Sequence, residues 1–181
     1  QAELCGFADL RTARLLPVWQ DVFDELGLNP VYLWAVGDPS RAPAAGRGQG
    51  AKAASMAEVG WFTYNADIFK YAGDRIAAVI DEAEWRNDPQ PLMERLVGRL
   101  QLRWRGTRFD LFETVSAVLS RREEEESRPQ RVAPSLPLAL VLHKAILAME
   151  EDPEARARAA TLVESAELLR PLIAPFLPAL E

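Results

Sequence analysis

Ile68-Phe69-Lys70-Tyr71-Ala72-Gly73-Asp74-Arg75-Ile76-Ala77-Ala78-Val79-Ile80 is the stretch on which the fold turns. Two apolar runs flank Gly73-Asp74, a dipeptide that a two-residue hairpin turn accepts. The pattern predicts strands over 67–72 and 75–81, with Asp74 at the opening of the second.

Upstream, Leu4-Cys5-Gly6-Phe7-Ala8-Asp9-Leu10 is short and apolar, so residues 3–10 are expected to form a strand that ends on Asp9 and Leu10. Leu15, Leu16, Val18, Trp19, Val22, Phe23 and Leu26 then recur at helical spacing over 11–26. Gly27 supplies a stop, and Pro17 is read as part of the first turn. Val31–Val36 is a β-branched and aromatic strand candidate. Residues 41–54, rich in Ala, Gly and Arg, are expected to be a loop.

Downstream, helices are predicted over 88–102, 109–122 and 153–170. Leu136–His143 is apolar throughout and reads as a buried strand, with a helix over 136–150 as its rival. Pro171, Pro175 and Pro178 argue against a regular helix in the tail.

The resulting order predicts an α/β (α+β) fold, a ferredoxin-like or palm β-α-β-β-α-β sheet with flanking helices, the alternative being an all-α bundle. One domain over 1–181 is expected, with an insert at about 37–60. In the palm arrangement the third strand lies between the first and second, so its start is beside the end of the first. Neighbouring strands are about 4.8 Å apart. Asp9 and Asp74 would meet there despite 65 positions between them (74 − 9).

Composition narrows the partners. The net charge of −6 offers no electrostatic reason to expect nucleic acid. A single cysteine, Cys5, excludes an internal disulfide and suits a reducing compartment. One Cys and one His cannot fill a zinc site built from those residues. No apolar run has the length needed to cross a bilayer, and a cytoplasmic protein is expected. Because the sequence opens on Gln1, a processed product or a piece of a longer protein is also expected.

Two aspartates at adjacent strand ends suit magnesium, which takes oxygen ligands from one or two carboxylates plus substrate phosphates. Each candidate has a simpler reading. Asp9 could cap the following helix, and Gly73-Asp74 could be only a turn. Lys70 could face solvent, and His143 could be a satisfied strand-end residue.

Phe7-Ala8-Asp9-Leu10-Arg11, Phe69-Lys70-Tyr71-Ala72-Gly73-Asp74 and Leu138–His143, in that order, resemble motifs of the class III nucleotidyl cyclases, the adenylate and guanylate cyclase catalytic domains. The resemblance implies that Asp9 and Asp74 bind two Mg²⁺ or Mn²⁺ ions, with the Leu10 carbonyl assisting. It implies contacts from Lys70 and Gly73 to a nucleoside triphosphate, and formation of a cyclic 3′,5′-nucleotide. It also implies a homodimer or a pseudo-symmetric heterodimer. The chain departs from the family where Thr12-Ala13-Arg14 replaces a Gly-Phe-Thr-like run and where Ala145 stands for a glycine. The family's late Asn and Arg are also missing. A degenerate, regulatory relative is therefore an alternative. The others are a non-enzymatic helical interaction subunit, based on the amphipathic helices, and a palm-type subunit of a nucleic-acid-processing complex.

Overall fold

The computed structural model describes residues 6–9, 11–41, 51–101, 113 and 137–173. The architecture is α+β and mostly helical. Thr12–Glu25 is helix α1, Tyr32–Val36 strand β1, Ala51–Ala72 helix α2 and Ile76–Asp81 strand β2. Glu82–Asn87 (α3), Pro89–Arg99 (α4), Pro137–Ala148 (α5) and Pro153–Ile173 (α6) follow.

α1 ends as its sequence predicts. Gly27 takes a left-handed φ of 62°, Leu28 N–H donates to the Phe23 carbonyl at 2.8 Å and Gly27 N–H to that of Asp24 at 3.2 Å. This pair of bonds closes a helix with orphan carbonyls, and glycine adopts the required backbone without a Cβ penalty. The start differs from expectation. The helix begins at Thr12, so Pro17 lies beyond the first turn and has no N–H to offer the Ala13 carbonyl.

β1 and β2 form a two-stranded parallel sheet, with Leu33 beside Ala78, Trp34 beside Val79 and Val36 beside Asp81. Parallel neighbours need a long crossover, and α2 provides it. Several expectations are corrected by that connection. Residues 67–72 are the last turns of α2 and not the first arm of a hairpin. Gly73–Arg75 is a 3₁₀ turn joining α2 to β2, and Asp74 sits within it. Ala51 opens α2, so the expected loop over 41–54 and insert over 37–60 each give way to helix there.

Residues 6–9 form no strand, and the rest of the predicted 3–10 strand lies outside the described residues, as does the 109–122 helix apart from residue 113. Leu138–His143 belongs to α5, the helical alternative. α6 continues through Pro171 to Ile173. The parallel pair of strands, in turn, excludes a purely helical bundle.

The core explains these outcomes. Trp34, Val36 and Val79 on one sheet face pack with Phe62 and Ala66 of α2, Leu142 and Ile146 of α5, and Val163 of α6. Full burial of a Leu or Ile side chain stabilises by roughly 1.5–3 kcal/mol. Leu142 and Ile146 reach that limit only because α5 is a helix under the sheet. On the opposite sheet face, Ala78 packs with Leu92 and Leu96 of α4. The Trp34 indole donates to Asn65 Oδ1 at 3.0 Å, so the buried ring leaves no donor unpaired.

Candidate functional site

Asp9 precedes α1. Its carboxylate accepts the Arg11 backbone N–H at 2.8 Å and the Arg11 guanidinium at 3.0 and 2.8 Å. The Arg11 side-chain hydrogen bond, aided by the backbone bond, lowers the Asp9 pKa to about 2. An aspartate bonding the N–H two residues on makes an Asx turn. That is close to the simple helix-entry role the sequence allows.

Asp74 lies on a different element and has a different cation. Its fully exposed carboxylate accepts from Arg156 of α6 at 2.6 Å, and the same guanidinium donates to the Gly73 carbonyl at 2.8 Å. Gly73 itself packs against the Phe69 ring. Lys70 pairs with Glu167 of α6 at 3.3 Å and lies over the Tyr71 ring. Lys70, Gly73 and Asp74 are thus gathered where α2 meets α6, each with a partner there. Leu10 lies outside the described residues.

Neither aspartate is on a strand, and their hydrogen bonds run to separate arginines. Both Asp9 oxygens are held by Arg11. No group of three or more His, Cys, Asp or Glu that could hold a metal occurs among the described residues. The adjacent strand ends expected to bring the two carboxylates together are not formed, since Asp74 lies in the 3₁₀ turn before β2 and residues 6–9 are not a strand.

A second polar group lies at the carboxyl end of the sheet, where open α/β proteins commonly bind ligands. The Gly37 carbonyl accepts from the Trp61 indole at 2.9 Å, and Glu82 packs against Gly37 while pairing with Arg86 at 2.6 Å. A Cβ on Gly37 would stand 2.5 Å from the Glu82 carboxylate, so the glycine permits the close approach. His143 stands edge-on to Trp61, its ring centre 5.9 Å away. Burial lowers the His143 pKa, partly opposed by Asp38 and Asp81. The His143 Nε2 is itself buried without a hydrogen-bond partner among the described residues.

The remaining feature is the surface of α1. Ala13 and Leu16 are buried, and the Gln20 amide donates to the Tyr71 carbonyl at 2.7 Å, so that side of α1 faces α2. Leu15, Val18, Val22 and Leu26 recur at spacings of three and four on the other side. Val22 is half-buried, but Leu15, Val18 and Leu26 are exposed, Val18 at 58% and Leu26 at 65%. Phe7, Trp19 and Phe23 form an aromatic row beside this stripe, with ring centres 4.8 and 5.9 Å apart. Exposed Leu28, Val31 and Leu33 continue the apolar surface along the chain into β1.

The periodicity over 11–26 predicts the helix but not its second apolar face. A legible signal was present: seven large apolar residues in sixteen positions cover more of a helix circumference than one neighbour can bury. In comparison with known proteins, no family model, curated protein or solved structure matches this chain.

Proposed function

We propose that this chain is a non-enzymatic interaction module, and that the outward face of α1 is its working surface. The observation that carries this reading is that α1 is apolar on two sides while, among the described residues, Leu15 and Val18 of the outward side stay exposed. Scattered exposed hydrophobics are ordinary, but a row at helical spacing marks a helix seam or a docking face. An apolar helix surface in water gains about 25 cal/mol per Å² on being covered, which is the driving force for association.

The nucleotidyl-cyclase reading rests on motif order and needs Asp9 and Asp74 in one pocket. The pairing of each carboxylate with its own arginine supports that reading less than the α1 surface supports association. Among the described residues, no helix is long and apolar enough to cross a membrane. α1 carries one arginine, Arg14, with Arg11 just before it, against three acids, Asp21, Asp24 and Glu25, a balance that does not favour an anionic lipid surface.

A photo-crosslinking residue placed at position 15 or 18 of the full chain, with one at exposed position 88 as control, tests the reading in cells. Protein adducts at 15 and 18 and none at 88 are expected. Equal labelling at all three, or no adducts at all, overturns it. Metal-dependent triphosphate binding that disappears in Asp74→Asn would restore the cyclase reading instead.

A further inference from the structure

Resting on the reading of α1 as a docking face, we infer that its occupant is the α1 helix of a second copy of this chain, packed antiparallel. The argument comes from the order of charges along the stripe. Arg11 and Arg14 lie at the start of α1, while Asp21, Asp24 and Glu25 lie toward its end. The first turn holds no acid and the last turn no base. This order opposes the helix dipole, which favours anions at the N-terminus and cations at the C-terminus. α1 is therefore charged in the less favourable sense for an isolated helix.

An antiparallel partner reverses that disadvantage. With Leu15 and Val22 at one repeating seam position and Val18 at the other, Arg14 and Asp21 fall on the same flank, seven residues apart (21 − 14). In an antiparallel pair each flank meets its own equivalent, running the opposite way. The register that sets Leu15 against the partner's Val18 also sets Arg14 against the partner's Asp21, and twofold symmetry makes the contact twice. Such an interface is self-complementary, as a twofold dimer requires. A parallel pair would set this flank against the other one, with Arg14 facing the partner's Trp19, and would form no such ion pair. Arg14 also has a partner within its own chain, so the inference depends on the sign pattern along the helix.

The experiment is sedimentation of the full chain, wild type and variants, with folding checked by circular dichroism. Wild type is expected to dimerise, and Val18→Asp to remain folded but monomeric. Arg14→Glu and Asp21→Arg should each weaken the dimer by about tenfold, since each places like charges together twice. A one-to-one mixture of those two single variants should form a heterodimer as tight as wild type or tighter, because every cross-pair is then opposite in sign. The double variant Arg14→Glu/Asp21→Arg should also recover self-association.

A wild-type chain that stays monomeric, or a mixture no tighter than its components, overturns antiparallel self-pairing. If crosslinks from position 18 still reach a different protein, the module reading survives and only the choice of partner fails. If neither dimer nor crosslink forms, both fail.

Discussion

α1 and α5 are both apolar helices of similar length, and the fold covers α5 more fully, although its Leu138 and Val141 are also exposed. α5 sends Ala139, Leu142, Ala145 and Ile146 into the core shared by the sheet, α2 and α6. α1 buries only Ala13 and Leu16 and leaves Leu15, Val18 and Leu26 to solvent. The difference is one of available neighbours. α5 lies beneath a strand pair with helices on either side, whereas among the described residues α1 leans mainly on α2 along its covered side. Hydrophobic content therefore ranks how much surface a helix needs covered and leaves open what covers it.

The sharpest way to break the comparison is to remove buried volume from α5. Leu142→Ala should cost about 2–5 kcal/mol in urea unfolding, because the cavity lies between elements that cannot collapse onto it. A loss under about 0.5 kcal/mol would show that α5 is not the core helix. The next largest effect is expected at the α2–α6 seam, where buried Asp67 pairs with Arg170. Arg170→Ala leaves that carboxylate without its cation and should cost about 2–3 kcal/mol, the lower end for a buried pair since Arg170 is partly exposed. Chemical denaturation with and without the substitution measures it.

A smaller effect should appear with pH. Burial sets the His143 pKa below its ordinary 6.5, so below that value the unfolded chain binds the proton more readily than the folded one. Stability is then complete above about 6.5 and declines as pH falls through 6.5 toward the lowered folded value. Urea midpoints at several pH values should show this slope, and His143→Leu should flatten it. The smallest effect on folding is expected on α1. Val18→Asp should change stability by no more than about 0.5 kcal/mol, because the side chain already faces water. The same substitution should abolish dimerisation by sedimentation. A large loss of stability instead would mean that Val18 is internal to the protomer.

Local chemistry was readable in several places. Gly27 announces the end of α1 because a left-handed residue is needed where the chain turns. Val31–Val36 contains β1, and Ile76–Asp81 contains β2, where β-branched and small apolar residues suit a buried parallel strand. Pro89 and Pro153 open α4 and α6 as first-turn prolines should.

Two of the misreadings share one cause. Ile68–Ala72, interrupted only by Lys70, and Leu138–His143 are short, largely apolar runs, and such runs fit a buried strand or a buried helix equally well. Both became helices because they continue longer helices, through Ala51–Asp67 in one case and Lys144–Ala148 in the other. With the hairpin gone, the device that would have joined Asp9 to Asp74 went too, and the two carboxylates pair with Arg11 and Arg156.

What the sequence determines by itself is local: where helices end, which segments favour a strand, and that the segment after Asp9 is a helix with more apolar surface than one neighbour can cover. These follow from backbone sterics and side-chain period, which act within a few residues. Which apolar face is covered, and which acid meets which base, was decided by tertiary structure. Those choices depend on elements far apart in the chain competing for the same limited contact area, and no short-range pattern records the outcome of that competition.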